Sequence, residues 1–281
     1  MATRPRSRST AVPATQPMLP LWANDVRGLP NAMARSALFN VAGHRAGKRE
    51  LLKQKPIEAL SGIAMTYTGE ELRQDDEDVF LQLLHIGRSQ DLGTVVRFTG
   101  YAMIKDLGWD NSSKGYNRLI ECISRLKATS LELKVADPSG ADGVMGYGGG
   151  LIDKFHYRDI ASGSPMREWE VLLDAKIVAL FTPNSYSRLD WTTRLRLKPM
   201  AKWLHSFYHT HQTPFPMKVA TFHSLMGSKA KQLRQFRASL KESLQELVDC
   251  GFLDSAAIDQ RLDMVVVERK GRPSARLDWI Q

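Results

Sequence analysis

The chain has 281 residues, 43% of them hydrophobic, which is too apolar for a chain disordered throughout and enough to fill one large or two medium cores. Its net charge of +9 draws polyanions such as phosphate backbones or acidic surfaces. No apolar run approaches the roughly 18 residues needed to cross a bilayer, and the N-terminus has arginines without the continuous apolar stretch of a secretory signal, so no membrane partner is expected.

Residues 1–20 are rich in Arg, Ser, Pro and Thr and lack periodicity, which predicts a disordered basic tail. At its end, Gln16, Leu19 and Leu21 have the spacing of short peptides that dock on the bacterial sliding clamp, although Pro17 and Pro20 depart from the usual form. Packing of this linker on the domain is the competing reading. Residues 21–39 form an ordered entry ending in a small helix over 32–39. Gly43-His44-Arg45-Ala46-Gly47-Lys48-Arg49 is not a phosphate loop, because the glycine interval is one residue short and Arg49 stands where a magnesium-binding Ser or Thr is required. It reads as a mobile basic loop. Ile63 to Tyr67 is a short strand, and Asp75-Asp76-Glu77-Asp78 opens a helix running to His85, where the acids complement exposed amides and the helix dipole.

Thr94 to Phe98 is a strand, and Tyr101 to Gly108 a short helix stopped by glycine. Asn111-Ser112-Ser113 offers an N-cap for a helix with Tyr116, Leu119, Ile123 and Leu126 inside and Lys114, Asn117, Arg118 and Arg125 outside. Ser130 to Val135 and Leu151 to Tyr157 read as strands, joined by a glycine-rich stretch over 140–150 that is too glycine-dense to hold a shape and predicts a long loop. Trp169 to Leu173 closes the sheet, and a helix over 176–181 precedes a break at Thr182-Pro183-Asn184-Ser185, just after which a domain boundary is placed, between 187 and 188.

The second unit holds a helix from Pro199 to Tyr208, with Pro199 suited to its first turn. A short helical run then stops at Gly227. A long helix follows whose apolar stripe is Leu233, Phe236, Leu240, Leu244 and Leu247, with Lys231, Arg234, Arg237 and Lys241 on the other side. Leu262 to Glu268 is a β-branched strand, followed by a basic, turn-prone tip containing Arg269, Lys270 and Arg272. This helix, turn, helix and ribbon repeats the order of 101–157. The fold class expected is therefore α+β: two tandem winged-helix domains, a helix-turn-helix plus a β-wing each, over 21–187 and 188–281, behind the basic tail.

Catalysis is not expected. His209-Thr210-His211 has the His-x-His form that holds a metal in rolling-circle nicking enzymes, but it sits at a frayed helix end, which favours solvated histidines. No metal and no cofactor is predicted. Cys122 and Cys250 fall on predicted helices among apolar neighbours and read as small buried hydrophobes of a reducing compartment.

With both units in view, Leu19-Pro20-Leu21-Trp22-Ala23-Asn24-Asp25-Val26-Arg27-Gly28-Leu29-Pro30-Asn31, Arg35-Ser36-Ala37-Leu38-Phe39 and Tyr67-Thr68-Gly69 resemble TrfA-type plasmid replication initiators. Leu195-Arg196-Leu197-Lys198, leading into Ala201-Lys202-Trp203-Leu204, is similar to the second winged helix of the wider iteron-binding initiator family. The resemblance implies a cytoplasmic, plasmid-bound protein that binds direct repeats at an origin, opens the adjacent A·T-rich duplex and recruits host helicase, helicase loader or initiator, and sliding clamp. It also implies single-stranded A·T-rich origin DNA as a ligand and a monomer–dimer equilibrium. DNA contacts would then come from Ser113, Lys114, Asn117, Arg118 and Arg125 in the first unit. In the second they would come from Ser228, Lys229, Lys231, Gln232, Arg234, Gln235, Arg237 and Lys241, with Arg269, Lys270 and Arg272 beyond. Arg and Gln read base edges, whereas Lys and Ser mostly hold phosphates. Two alternatives remain open from the sequence: a double winged-helix repressor, and a rolling-circle nickase using His209 and His211.

Overall fold

The computed structural model describes residues 18–89, 95–136, 144–157 and 168–269. The tail before Met18, with Gln16, and the segment holding Lys270 and Arg272 lie outside them. An N-terminal entry, β1 (Val26–Pro30), α1 (Asn31–Ala34), β2 (Phe39–Asn40), β3 (Leu51–Pro56), β4 (Ile63–Glu70) and β5 (Leu72–Arg73), leads into α2 (Gln74–Gly87). Next come β6 (Val95–Phe98), α3 (Gly100–Asp106), α4 (Ser113–Lys127), β7 (Ser130–Ala136), β8 (Val144–Gly149), β9 (Ile152–Tyr157) and β10 (Trp169–Leu173). A 3-10 turn (Ala175–Leu180), β11 (Tyr186–Asp190) and α5 (Trp191–Arg196) bridge to α6 (Pro199–His209), β12 (Met217–Lys218), α7 (Val219–Leu225), α8 (Leu233–Asp249), β13 (Ser255–Asp259) and β14 (Met264–Glu268).

One topology is used twice. The order α2, β6, α3, α4, β9, β10 is matched by α6, β12, α7, α8, β13, β14. Both three-stranded sheets are antiparallel with the last strand in the middle, β6-β10-β9 and β12-β14-β13. The match extends to the turns. Gly108 and Gly227 follow α3 and α7 with φ of 66° and 57°, a left-handed conformation that glycine adopts without steric cost. After each, an amide reaches back to the last helical turn, Trp109 N to Ile104 O at 3.0 Å and Ser228 N to His223 O at 3.2 Å. The first unit differs by an inserted hairpin, β7-β8, which leaves its own sheet and joins the entry strands in the order β3-β4-β7-β8.

Burial follows the predicted stripes. Leu119, Ile123 and Leu126 of α4 are buried in one core with Phe80, Leu84, Met103 and Trp169. Phe236, Leu240, Leu244 and Leu247 of α8 are buried in a second with Trp203, Phe207 and Phe222. Leu233 is only half-buried, because α8 begins there.

Several sequence expectations are corrected. Gly146, Gly148 and Gly149 lie in strand β8, not in a loop, paired with β7. Tyr147 between them is buried and its hydroxyl donates to the Gly150 carbonyl at 2.6 Å, and a Cβ on Gly149 would lie 2.5 Å from an Asp174 carboxylate oxygen. Close approach, not looseness, explains the small residue there. The helix expected over 176–181 is 3-10. The boundary at 187/188 cuts β11, which pairs with β1, and Leu189 and Trp191 belong to the first core while Leu197 belongs to the second. Cys122 is buried, but Cys250 is exposed at the end of α8.

The entry is locked onto α2 by His85, whose Nδ1 lies 3.1 Å from both Trp22 Nε1 and the Val26 carbonyl oxygen. Burial, with Arg27 and Arg88 nearby, outweighs the Val26 carbonyl and pushes the ring pKa down from 6.5 to about 3. The unfolded chain therefore takes up a proton near pH 6.5 while the folded chain does not, so this stability is complete above pH 6.5 and is lost as pH falls toward 3. Between pH 6.5 and 4.5 the loss is on the order of 2 kcal/mol. Urea midpoints at pH 7.5 and 4.5 measure it: His85→Gln, which still accepts from Trp22, should show a smaller drop than wild type, and an equal drop would contradict the assignment.

Candidate nucleic-acid interface

On α4, Ser112 caps the helix through Gly115 N at 3.4 Å, and Gly115 is required because a Cβ there would come 2.2 Å from the Asp110 carbonyl oxygen. Ser113, Lys114 and Asn117 emerge exposed from this first turn and a half. Arg118 is half-buried, its guanidinium 3.8 Å over the Trp109 ring and its Nε 3.5 Å from Asp75. Arg125 does not face outward as expected. It turns in to Asp76 at 2.9 Å and to the Cys122 sulfur at 3.3 Å, because it sits on the side of α4 that packs on α2. A cleft beside the exposed turn is lined by His44, Arg45, Arg49, Lys114, Asn117 and Arg118.

The loop over 43–49 is pinned, not loose. Arg49 bonds Asp76 at 2.6 Å and Asp75 at 3.0 Å, and Arg73 donates to the Gly43 carbonyl at 3.1 Å. Burial alone would raise the Asp75 carboxyl pKa, but Arg49 and Arg118 hold it below its ordinary value. Burial lowers the His44 pKa, reinforced by Arg118. Asp75, Asp76 and Cys122 place three possible metal ligands together, yet guanidinium groups occupy the carboxylates and burial pushes the thiol pKa far up. The acids do more than complement a helix dipole, since all four are buried.

On the second unit, Lys231 and Gln232 precede α8, Arg234, Gln235 and Lys241 lie along it, and all five are exposed. Arg237 forms a two-pronged bond to Asp263 at 2.8 and 2.9 Å, tying α8 to the β13-β14 hairpin. Ser228 accepts from Ala230 N at 3.3 Å inside the turn. Lys229 reaches the first unit, pairing with Glu71 and lying 3.6 Å from Glu50. The hairpin tip is residues 260–263, not the basic run after β14. Arg269 instead packs back, donating to the Tyr208 carbonyl at 2.7 Å over the Phe252 ring. Arg261, missed by sequence reasoning, occupies that tip, where Asp259 accepts from Arg261 N and Leu262 N at 2.8 Å. An Asp ahead of a β-branched strand was the available signal. The loop holding His44 and Arg45 reads as basic in the sequence, but only the fold brings it beside Lys114.

His209 and His211 are half-buried, which corrects the solvated reading, and they turn to different neighbours. His209 Nε2 is 3.1 Å from His205 Nε2, while His211 Nδ1 lies 2.9 Å from the Phe207 carbonyl. Leu19 is buried in the first core while Leu21 is exposed, so the peptide over 16–21 cannot offer both leucines to a partner while Leu19 stays packed. Among the described residues no helix is long and apolar enough to cross a membrane.

The chain is similar to known proteins in fold and in sequence. Two crystal structures of domains 2 and 3 of RctB share the fold. One has a TM-score of 0.56 at 11% identity, covering 86% of this chain and 99% of that one. The other has a TM-score of 0.50 at 12% identity, covering 74% and 81%. The plasmid replication initiator protein TrfA of Escherichia coli is 29% identical over 242 residues, which span 86% of this chain but 62% of that protein's length. The family model described as TrfA protein matches residues 16–269, nearly the whole chain, and on that match the chain belongs to the TrfA family.

Proposed function

We propose that the chain is a plasmid replication initiator that binds direct repeats at an origin through two winged helices, and that it acts by binding, without catalysis. The observation that carries this reading is the twice-used topology, in which α4 and α8 each bury one stripe and present exposed polar and basic residues at or beside their N-terminal turns. Asn117, Arg234 and Gln235 are the residues suited to base edges; Lys114, Lys231, Lys241, Arg45 and Arg261 are suited to phosphates. Two such readers on one chain act at high effective concentration, so modest contacts from each give a tight site. The surplus binding energy is available to deform the duplex and open the A·T-rich segment. Host helicase, its loader and the sliding clamp are the partners such an initiator recruits, and a clamp contact through the peptide over 16–21 requires Leu19 to leave the core.

The test is a salt titration of binding to direct-repeat origin DNA against random duplex, followed by permanganate footprinting of the A·T-rich segment. A preference of about 10³ for repeats together with permanganate-reactive thymines is expected. Equal binding to all duplexes sinks the reading; repeat binding without reactive thymines leaves a repressor instead.

A further inference from the structure

Asp75, Asp76, Glu77 and Asp78 are consecutive on α2, and at about 100° per residue they leave the helix on all sides. They are buried at 5%, 0%, 2% and 1% exposure. Burying four carboxylates at one helix start is costly unless each is met by a cation, and the cations that meet them come from both units. Asp75 and Asp76 take Arg118 and Arg125 of α4. Glu77 and Asp78 take Arg194 of α5, at 3.1 and 2.8 Å, and Asp78 also takes Lys202 of α6. Glu71, just ahead of the helix and 4% exposed, takes Lys229 from the turn that leads into α8.

We propose that this acidic turn is a positioning device: it fixes the orientation of α4 relative to α8, and so sets which spacing between the two halves of a DNA site the protein accepts. The inference rests on the reading of α4 and α8 as the two DNA-contacting helices. Its physical basis is direction. Apolar contacts let helices slide and rotate at little cost, whereas guanidinium–carboxylate bonds hold their geometry, and buried ones most of all. Other links between the units among the described residues include hydrogen bonds, such as Trp203 Nε1 to the Ser36 carbonyl at 3.1 Å, Arg35 to the Thr210 carbonyl at 2.6 Å and hydroxyl at 2.8 Å, and Val41 N to the Met226 carbonyl at 3.1 Å, together with apolar packing of Val41 and Leu60 on the second core. Those hold α6 and the α7 end to the entry segment. The acidic turn alone among these links engages α4 as well as the second unit.

Glu71→Gln and Asp78→Asn each remove one charge facing the second unit, keep the side-chain shape and leave the exposed residues of α4 and α8 untouched. Spin labels at Ser124→Cys on α4 and Glu242→Cys on α8, in a Cys250→Ser background with Cys122 buried, report the interhelix distance in the full chain without DNA. Wild type is expected to give a narrow distribution and both variants a broad one. With duplexes whose half-site spacing is changed by one to three base pairs, wild type should favour one spacing by about tenfold or more and the variants should lose most of that preference, as expected when a rigid linkage is loosened. A distribution that stays narrow in the variants overturns the proposal whatever the DNA result. A broad distribution with the spacing preference intact overturns it too. Wild type that prefers no repeat DNA at all instead sinks the DNA-binding reading, and the label distances then decide separately whether the acidic turn holds the two helices in place. Glu71 bonds Arg73 through one carboxylate oxygen and the half-exposed Lys229 through the other, and a glutamine can still accept from Arg73, so Glu71→Gln decides the matter should Asp78→Asn not fold.

Discussion

Replacing Arg194 by Met is expected to lower the stability of the folded chain by about 3–5 kcal/mol, the range for breaking a buried ion pair by removing one partner. Arg194 is fully buried and answers two carboxylates, Glu77 at 3.1 Å and Asp78 at 2.8 Å, while also donating to Ser206 Oγ at 2.7 Å and Gln74 Oε1 at 3.1 Å. Methionine fills much of the same volume, so the loss is electrostatic: Asp78 keeps Lys202, while Glu77 loses the cation paired with it. Thermal unfolding should report a fall in Tm on the order of 10 °C. A change below about 1 kcal/mol would mean that the acids are neutral in the fold and the network is not ionic. Lowering the pH gives a second reading: burial holds the Glu77 carboxyl above its ordinary value even beside Arg194, a protonated acid needs no guanidinium, and the gap to wild type should narrow as Glu77 takes up its proton.

Arg234→Ala is expected to weaken binding to repeat DNA by about 1–3 kcal/mol, roughly 5- to 150-fold, while leaving random-duplex binding almost unchanged. Arg234 is exposed at the second position of α8, the turn proposed to enter a groove, and no ion pair occupies its side chain among the described contacts. Lys241→Ala, two turns further along, should instead weaken both duplexes alike and reduce the salt slope by about one. If Arg234→Ala behaves as Lys241→Ala does, the exposed face of α8 grips phosphates only, and sequence reading must be sought in α4 or the β13-β14 tip. Arg237 makes a useful contrast. Its two bonds to Asp263 hold the hairpin against α8, so Arg237→Ala disturbs the wing as well as the helix and cannot be read as a lost base contact.

The α4 and α8 stripes were legible because burial on a helix imposes a three-four spacing on the sequence itself. So were the glycines at 108 and 227, since few other residues take a left-handed turn cheaply. The repeat could be seen for the same reason: each unit spells out its helices, turn and strands locally. The strand over 144–149 could not be read, because its glycines are explained by what approaches them, Asp174 and the β7 backbone, and those neighbours are distant in sequence. The strand over 186–190 was missed likewise, since its partner is β1.

Charge divides along the same line. The sequence by itself determined how many cations there are, their concentration on two helices, and thus a basic chain with two candidate faces. Only the tertiary structure decided which of those cations are available. Arg49, Arg118, Arg125, Arg194 and Lys229 look alike in the sequence, yet all are drawn to five buried carboxylates around the start of α2, while Lys114, Lys231, Arg234 and Lys241 stay exposed. The reason is that helical periodicity encodes which side of a helix is apolar, but the partner of a charge is set by what another element, a hundred residues away, presents at bonding distance.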